Sequence, residues 1–386
     1  MIPEKLKKLL LNKYFLFGIY VAATAGATIV QYFKTKPGAE YTSYNNYIIF
    51  RESFHHLKSG IDLYRNHEPE HFDLYKYSPA FAVFFAPFNS LPDLPGLMIW
   101  NFLNAIPLFL LVLFIHGIGE KQKIFALWFI LIELITSMQN SQSNGLIAAL
   151  AAGALISFEK KNVLIASLLI VFSGYIKIFG LALGLMSLLY EKRIRFMVYS
   201  LVWVLIFAFI PIFFTTFKLL LMQYQSWWNL LQQDHEINLG ISVYGFLHSV
   251  AGVDSGRGMV LVAGIILLLA PSALFQKFYN SRFRIFYWCS ILIWMVVLNH
   301  RAESPTFIIA VTGIAIWYFH SAPSKLNTVL IIFTFVFTIL SPTDLFPKII
   351  RDDFIVPYSL KVLPCILIWM KITFELIFKK EYAIPD

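Results

Sequence analysis

Apolar runs of roughly 17–25 residues recur along almost the whole of this sequence, each long enough to cross a bilayer. A crossing segment must bond every backbone N–H and C=O internally, which leaves α-helices or a closed barrel. The runs are continuous, with no period-two alternation, so a barrel is excluded. Of 386 residues, 58% are hydrophobic and only 14% charged, with a mean hydropathy of +0.68, too few charges for a soluble chain of this size. The expected fold is all-α: a polytopic membrane protein with one domain over residues 1–386.

Spans are expected at roughly 14–33, 97–118, 124–139, 144–158, 163–176, 178–190, 197–215, 258–275, 284–299, 305–320, 325–341 and 358–378, about twelve in all. The net charge of +9 comes from Lys and Arg gathered in short turns at 120–123, 159–162, 191–195, 276–284 and 321–325. The positive-inside rule makes those turns cytoplasmic, so the basic balance does not imply nucleic acid. Lys5, Lys7, Lys8 and Lys13 before the first run predict an uncleaved first span with its N-terminus inside. The segment 78–91 is short and broken by Pro87. Counting it as a crossing would put the 159–162 turn outside, so a re-entrant half span is expected there. Residues 40–79, 140–144, 217–256, 299–305 and 342–357 then share the outer face. Cys289 and Cys365 lie in apolar runs and are expected in the core.

Polarity is concentrated in one of these outer stretches, residues 34–78, the expected active-site loop. Between Glu40 and Pro79 stand Glu52, Asp62, Glu68, Glu70 and Asp73, with His55, His56, His67 and His71. Tyr47, Phe50, Phe54 and Leu57 make an apolar stripe at helical spacing, with Asn45, Glu52, His55, His56 and Ser59 on the other side and Gly60 at the C-terminus. That pattern predicts a helix lying in the membrane interface. In His71-Phe72-Asp73-Leu74-Tyr75-Lys76-Tyr77, Asp73 is placed to act as a base or orienting group and Lys76 to hold an anionic head group; the alternative is an interfacial aromatic belt with solvated charges.

Other outer segments carry further candidates. Asn299-His300-Arg301-Ala302-Glu303-Ser304-Pro305 joins two spans with little slack and poises Arg301 for a phosphate, unless Arg301 and Glu303 only cap helices and pair with each other. Lys177, between two spans, needs an anionic partner or must snorkel. Glu133, mid-span, is protonated or paired inside the bundle. The polar run 139–144, with Gln142 and Asn144, could bind sugar hydroxyls or form a solvated turn. Trp227, Trp228, Gln232, Gln233, Asp234, His235, Glu236 and Asn238 fit a sugar site and an interface belt equally. The sequence holds no P-loop, dinucleotide fingerprint, HExxH or GxSxG, so any reaction must draw on an activated lipid or a gradient.

A first span, a loop helix ending in Gly60-x-x-x-Tyr64, then Tyr75-Lys76-Tyr77-Ser78-Pro79 and a short helix closing at Leu91-Pro92 together resemble glycosyltransferase family 87. Gln142-x-Asn144, Lys177 and the Asn238–Leu247 stretch fit weaker motifs of that family. The resemblance implies a GT-C membrane fold and transfer of a sugar, mannose or similar, from a polyprenyl-phosphate donor. The acceptor would be a glycan or glycolipid at the outer face of a bacterial inner membrane, with membrane lipids as the other partners. It implies a carboxylate base in the first outer loop and basic residues on the departing phosphate; no metal and no organic cofactor are expected. The family's Asp stands fourteen residues before the loop glycine, where this chain has Asn46, which cannot act as a base. Asp73, Glu40 and Glu52 are the carboxylates left for that role. Arg301, Lys177, Lys76 and His300 are assigned to the donor phosphate. Asn45, Asn46, His55, Gln142, Asn144 and Glu303 are assigned to sugar or acceptor. A transporter or flippase of lipid-linked sugars and a non-catalytic relative are the alternatives.

Overall fold

The structure, a computed structural model, describes residues 3–68, 70–237, 239–252 and 256–379. The chain opens with α1 (Glu4–Leu10) and α2 (Lys13–Phe33), followed by the loop helix α3 (Asn45–Ser59) and the short α4 (Pro79–Phe84). Next come α5 (Asp93–Phe114), α6 (Glu120–Gln139), α7 (Asn144–Glu159) and α8 (Val163–Ile176). A 3-10 helix, Ile178–Leu189, leads into α9 (Arg193–Phe209). Then follow α10 (Phe217–Ile237), α11 (Val243–Ala251), α12 (Arg257–Leu269), α13 (Ser281–Val297) and α14 (Phe307–His320). The last helices are α15 (Lys325–Thr334), continued by π turns to Leu340, α16 (Lys348–Ile350) and α17 (Leu363–Phe378). Every expected span falls on one of these helices, and the described residues contain no strand.

Four helices are long and apolar enough to cross a membrane by length and composition: Lys13–Phe33, Asp93–Phe114, Glu120–Gln139 and Arg193–Phe213; six shorter apolar helices accompany them. Burial separates two kinds. Apart from the end residue Glu159, α7 is buried on all sides, and α14 is buried from Phe307 to Trp317, so these two helices form the centre, with α13 packed against both. In α9 only Phe196 is buried, while Ile194, Met197, Leu201, Leu205 and Phe209 stay uncovered. A helix apolar all round that presents those residues outward faces lipid. The protein is a multi-pass membrane protein.

The bundle has two distinct ends. At one, Arg284 grips the Glu159 carboxylate with Nε and Nη2, both at 2.7 Å, and Tyr190 Oη donates to the same group at 2.6 Å. The other end gathers four of the five polar segments expected to share a face, with Lys361, just past the fifth, bonded to one of them. Asn46 Nδ2 donates to Asn140 O, Gln223 Nε2 to Ile61 O, Ile241 N to Ala302 O, and Lys361 Nζ to Ser304 O. Asn144 lies at this end and Tyr190 at the opposite one. Thus α8 runs down the bundle to Lys177 and the 3-10 helix returns, a hairpin with Lys177 at its vertex.

Two expectations about the first polar loop change in detail. Residues 78–91 form only the six-residue α4 and a single turn at Ala86–Phe88, too short to cross, as the topology requires. The apolar stripe of α3 is buried as its spacing predicts, but against protein: the ring of Phe50 meets Tyr77, Phe81, Phe85 and Trp100 at 4.8–5.6 Å. The opposite side of α3 is not uniformly solvated either. Asn45 and His56 are buried there because residues 61–77 fold back over them.

Candidate active site

The hinge of the site is Ser78. It caps α4 by accepting from Phe81 N at 3.2 Å, and its hydroxyl donates to Tyr175 O at 2.5 Å, tying the end of the first loop to the end of α8. Two residues beyond Tyr175 the helix breaks. Lys177 is extended (φ −141°, ψ 124°), and its Nζ donates to Asn144 Oδ1 at 2.9 Å and Gln142 Oε1 at 3.2 Å. Tyr77 Oη donates to the same Gln142 oxygen at 3.4 Å, and the Gln142 amide donates from Nε2 to Glu303 Oε2 at 3.2 Å. Lys177 Nζ also lies 5.8 Å from the Tyr77 ring and 5.9 Å from Phe179. Burial pushes the Lys177 ammonium down to about 8, against the pull of the Glu303 carboxylate and with help from Lys76. Its neighbours within hydrogen-bond reach are neutral amides, and it makes no ion pair with any described carboxylate.

Asp73 stands beside this cluster. Its backbone is left-handed (φ 71°), and its carboxylate accepts from Leu74 N at 2.7 Å and pairs with Lys76 at 3.0 Å. An aspartate tolerates that conformation better than most side chains because it can bond its own backbone. Burial raises the Tyr77 phenol well above its ordinary value, and the carboxylates of Glu303 and Asp73 act on it in the same direction. Asp73, Lys76, Tyr77, Gln142, Asn144, Lys177 and Glu303 therefore share one site. Asn144 Nδ2 is buried there without a partner, an open donor.

Other predicted residues are placed elsewhere. Asn45 exchanges two hydrogen bonds with the Phe72 backbone, at 2.7 and 3.1 Å, which holds the loop to α3. Asn46 is spent on Asn140 O, Glu40 and His55 are exposed, and Glu52 pairs with Arg51 at 2.7 Å. His300 and Arg301 lie in the segment clamped by Ile241; Arg301 N donates to Asn299 Oδ1 at 3.0 Å. The Trp227–Asn238 candidate is described only in part, since the side chains of Asp234, His235 and Glu236, and all of Asn238, lie outside the described residues.

Two supports escaped sequence reasoning. Asp93 accepts from Tyr44 Oη at 2.8 Å and bonds Arg51, fixing α3 against the start of α5. Lys361 pairs with Glu133 at 2.8 Å, both almost wholly buried, and donates to Ser304 O at 3.0 Å and Ser304 Oγ at 2.8 Å. Glu133 is thus paired inside the bundle. A signal for Lys361 existed, because a lysine within an expected span needs a partner. Two surface cavities, of about 380 Å³ beside Gly60 and Phe214 and about 500 Å³ beside Gln122 and Arg282, contain none of the site residues.

Residues 75–342 match the family model described as Glycosyltransferase family 87, well over half of the chain. The chain belongs to glycosyltransferase family 87. The match starts at Tyr75 and takes in Tyr77, Gln142, Asn144, Lys177 and Glu303, so most of the site of this family 87 protein lies inside it. Among solved structures, the chain is similar to that of ArnT from Cupriavidus metallidurans bound to undecaprenyl phosphate. The TM-score is 0.39 and the identity 12%, over 94% of this chain and 76% of that one. No curated protein matches the family 87 chain in sequence.

Proposed function

We propose that this membrane glycosyltransferase is of the GT-C type and moves a sugar, mannose or a similar one, from a polyprenyl-phosphate carrier to a glycan or glycolipid acceptor. In this reading it works at the outer face of a bacterial inner membrane. The observation that carries the proposal is Lys177: a desolvated ammonium at a helix break, held by neutral amides and tied up in no ion pair with a described carboxylate, offers positive charge to a phosphate arriving through lipid.

The step itself is a displacement at the anomeric carbon. The acceptor oxygen forms the new glycosidic bond, the bond to the carrier phosphate breaks with its electron pair, and the acceptor proton passes to a carboxylate. Asp73 is the proposed base, with its carboxylate fixed by Leu74 N and Lys76. Lys177, assisted by Lys76, stabilises the charge that builds on the leaving phosphate. Gln142, Asn144 and Glu303 orient the hydroxyls, and the open Asn144 Nδ2 supplies a donor. Incubating purified protein with a panel of polyprenyl-phosphate sugars and a membrane glycolipid extract tests this. Release of free polyprenyl phosphate that depends on Lys177 is expected; no turnover of any such donor would refute the reading.

A further inference from the structure

Apart from the glycosyl-transfer site, the first polar loop brings a second set of groups together. His56, in the last turn of α3, and His71, before Asp73, are 3% and 1% exposed. His56 Nε2 lies 2.8 Å from Glu70 Oε2, and one ligand atom from each of His56, Glu70 and His71 lies within 4.8 Å of the others. We propose that these three side chains form a site for a divalent transition ion of the zinc class.

A simple His56–Glu70 ion pair would use one imidazole and leave the second with no reason to converge on the same point. Two buried imidazoles facing one carboxylate are a metal donor set, with nitrogen ligands that select zinc-like ions over magnesium or calcium. Tetrahedral coordination at about 2.0–2.2 Å places ligand atoms roughly 3.2–3.5 Å apart. The His56–Glu70 spacing of 2.8 Å lies just under that range, and no ligand atom is more than 4.8 Å from the others.

The surroundings match as well. His71 Nδ1 is 3.2 Å from Asp73 O; donating there fixes the tautomer and leaves Nε2 free to ligate, the usual outer support of a metal-bound imidazole. His67 stacks on His56 with ring centroids 3.9 Å apart and is itself anchored by Nε2 to Asp62 O at 2.8 Å, which holds the His56 ring in place. Glu52, although paired with Arg51, is near enough to act on His71 electrostatically. An ion here would staple the end of α3 to the segment that carries Asp73, while leaving a coordination position for water.

The test is direct binding to the full chain, purified in detergent through a tag without histidine and stripped with a chelator. Cobalt(II) is titrated in as the probe. One equivalent is expected to bind with the visible bands of four-coordinate cobalt and to be displaced by zinc. Glu70→Gln, at a half-exposed position that leaves folding intact, and His71→Ala should each weaken binding by more than about 100-fold. His116→Ala, at the opposite end of the bundle, should leave binding unchanged. Absence of four-coordinate bands, or stoichiometric binding that survives Glu70→Gln and His71→Ala, overturns the proposal. The readout does not involve sugar transfer, so it stands or falls separately from the catalytic reading.

Discussion

At the residue scale, Lys177 carries the sharpest expectations. Its ammonium titrates near 8, so the charge proposed to receive a phosphate is present below that pH and lost above it. The kcat/KM of transfer should therefore fall as pH rises through about 8. Lys177→Arg, which stays charged throughout, should flatten that limb of the profile. Lys177→Ala should cost about 10²–10³ in kcat/KM at neutral pH. For Asp73, whose side chain is 44% exposed, replacement by Asn should leave expression and folding intact and lower transfer by about 10²–10⁴. Full activity in that variant would remove Asp73 from the mechanism. Lys177 was legible in the sequence because an isolated cation between two apolar runs has few uses. Its partnership with Gln142 and Asn144 was not, because no local pattern joins residues more than thirty positions apart.

At the scale of elements, the site depends on close helix contacts. Gly145 follows Asn144 directly and packs α7 against α5: a Cβ there would lie 2.8 Å from Asn104 O and 3.0 Å from Leu134 Cδ1. Gly145→Ala should lose about 1–3 kcal/mol in detergent unfolding despite alanine's better helix propensity, and should depress transfer by moving Asn144. The Glu133–Lys361 pair does similar work for the 299–305 segment, whose Ser304 it holds. Lys361→Met leaves a buried carboxylate unpaired and should cost about 3–5 kcal/mol, read as a lower unfolding temperature. The helices themselves were readable from apolar run length, and α3 from its stripe. What covered the polar side of α3 was not, because Asn45 binds Phe72 and His56 binds Glu70 through a loop with no periodicity.

For the whole molecule, the segregation of polar segments to one end and basic turns to the other gives a test of orientation. Cys289 and Cys365 are fully buried, so the natural chain should be silent to thiol reagents. Glu40→Cys should react with an impermeant maleimide in intact cells, and Lys121→Cys only after the membrane is opened; the reverse pattern would put the site on the cytoplasmic face. The helical segments and the separation of polar stretches from basic turns were legible because charge and apolar length are one-dimensional properties. The depth of the site was not.

That depth follows from the hairpin with Lys177 at its vertex. Fourteen α-helical residues rise about 21 Å, and twelve in a 3-10 helix about 24 Å, both short of a hydrocarbon layer of about 30 Å. The longer α9 packs on α8 and meets the lipid there, with Val204 level with Tyr175 and the helix continuing beyond it, so the vertex of the hairpin lies below the level that α9 reaches. A lysine recessed in this way keeps its charge below the rim of the bundle, and the proposed lipid-borne phosphate would meet it there, short of open water.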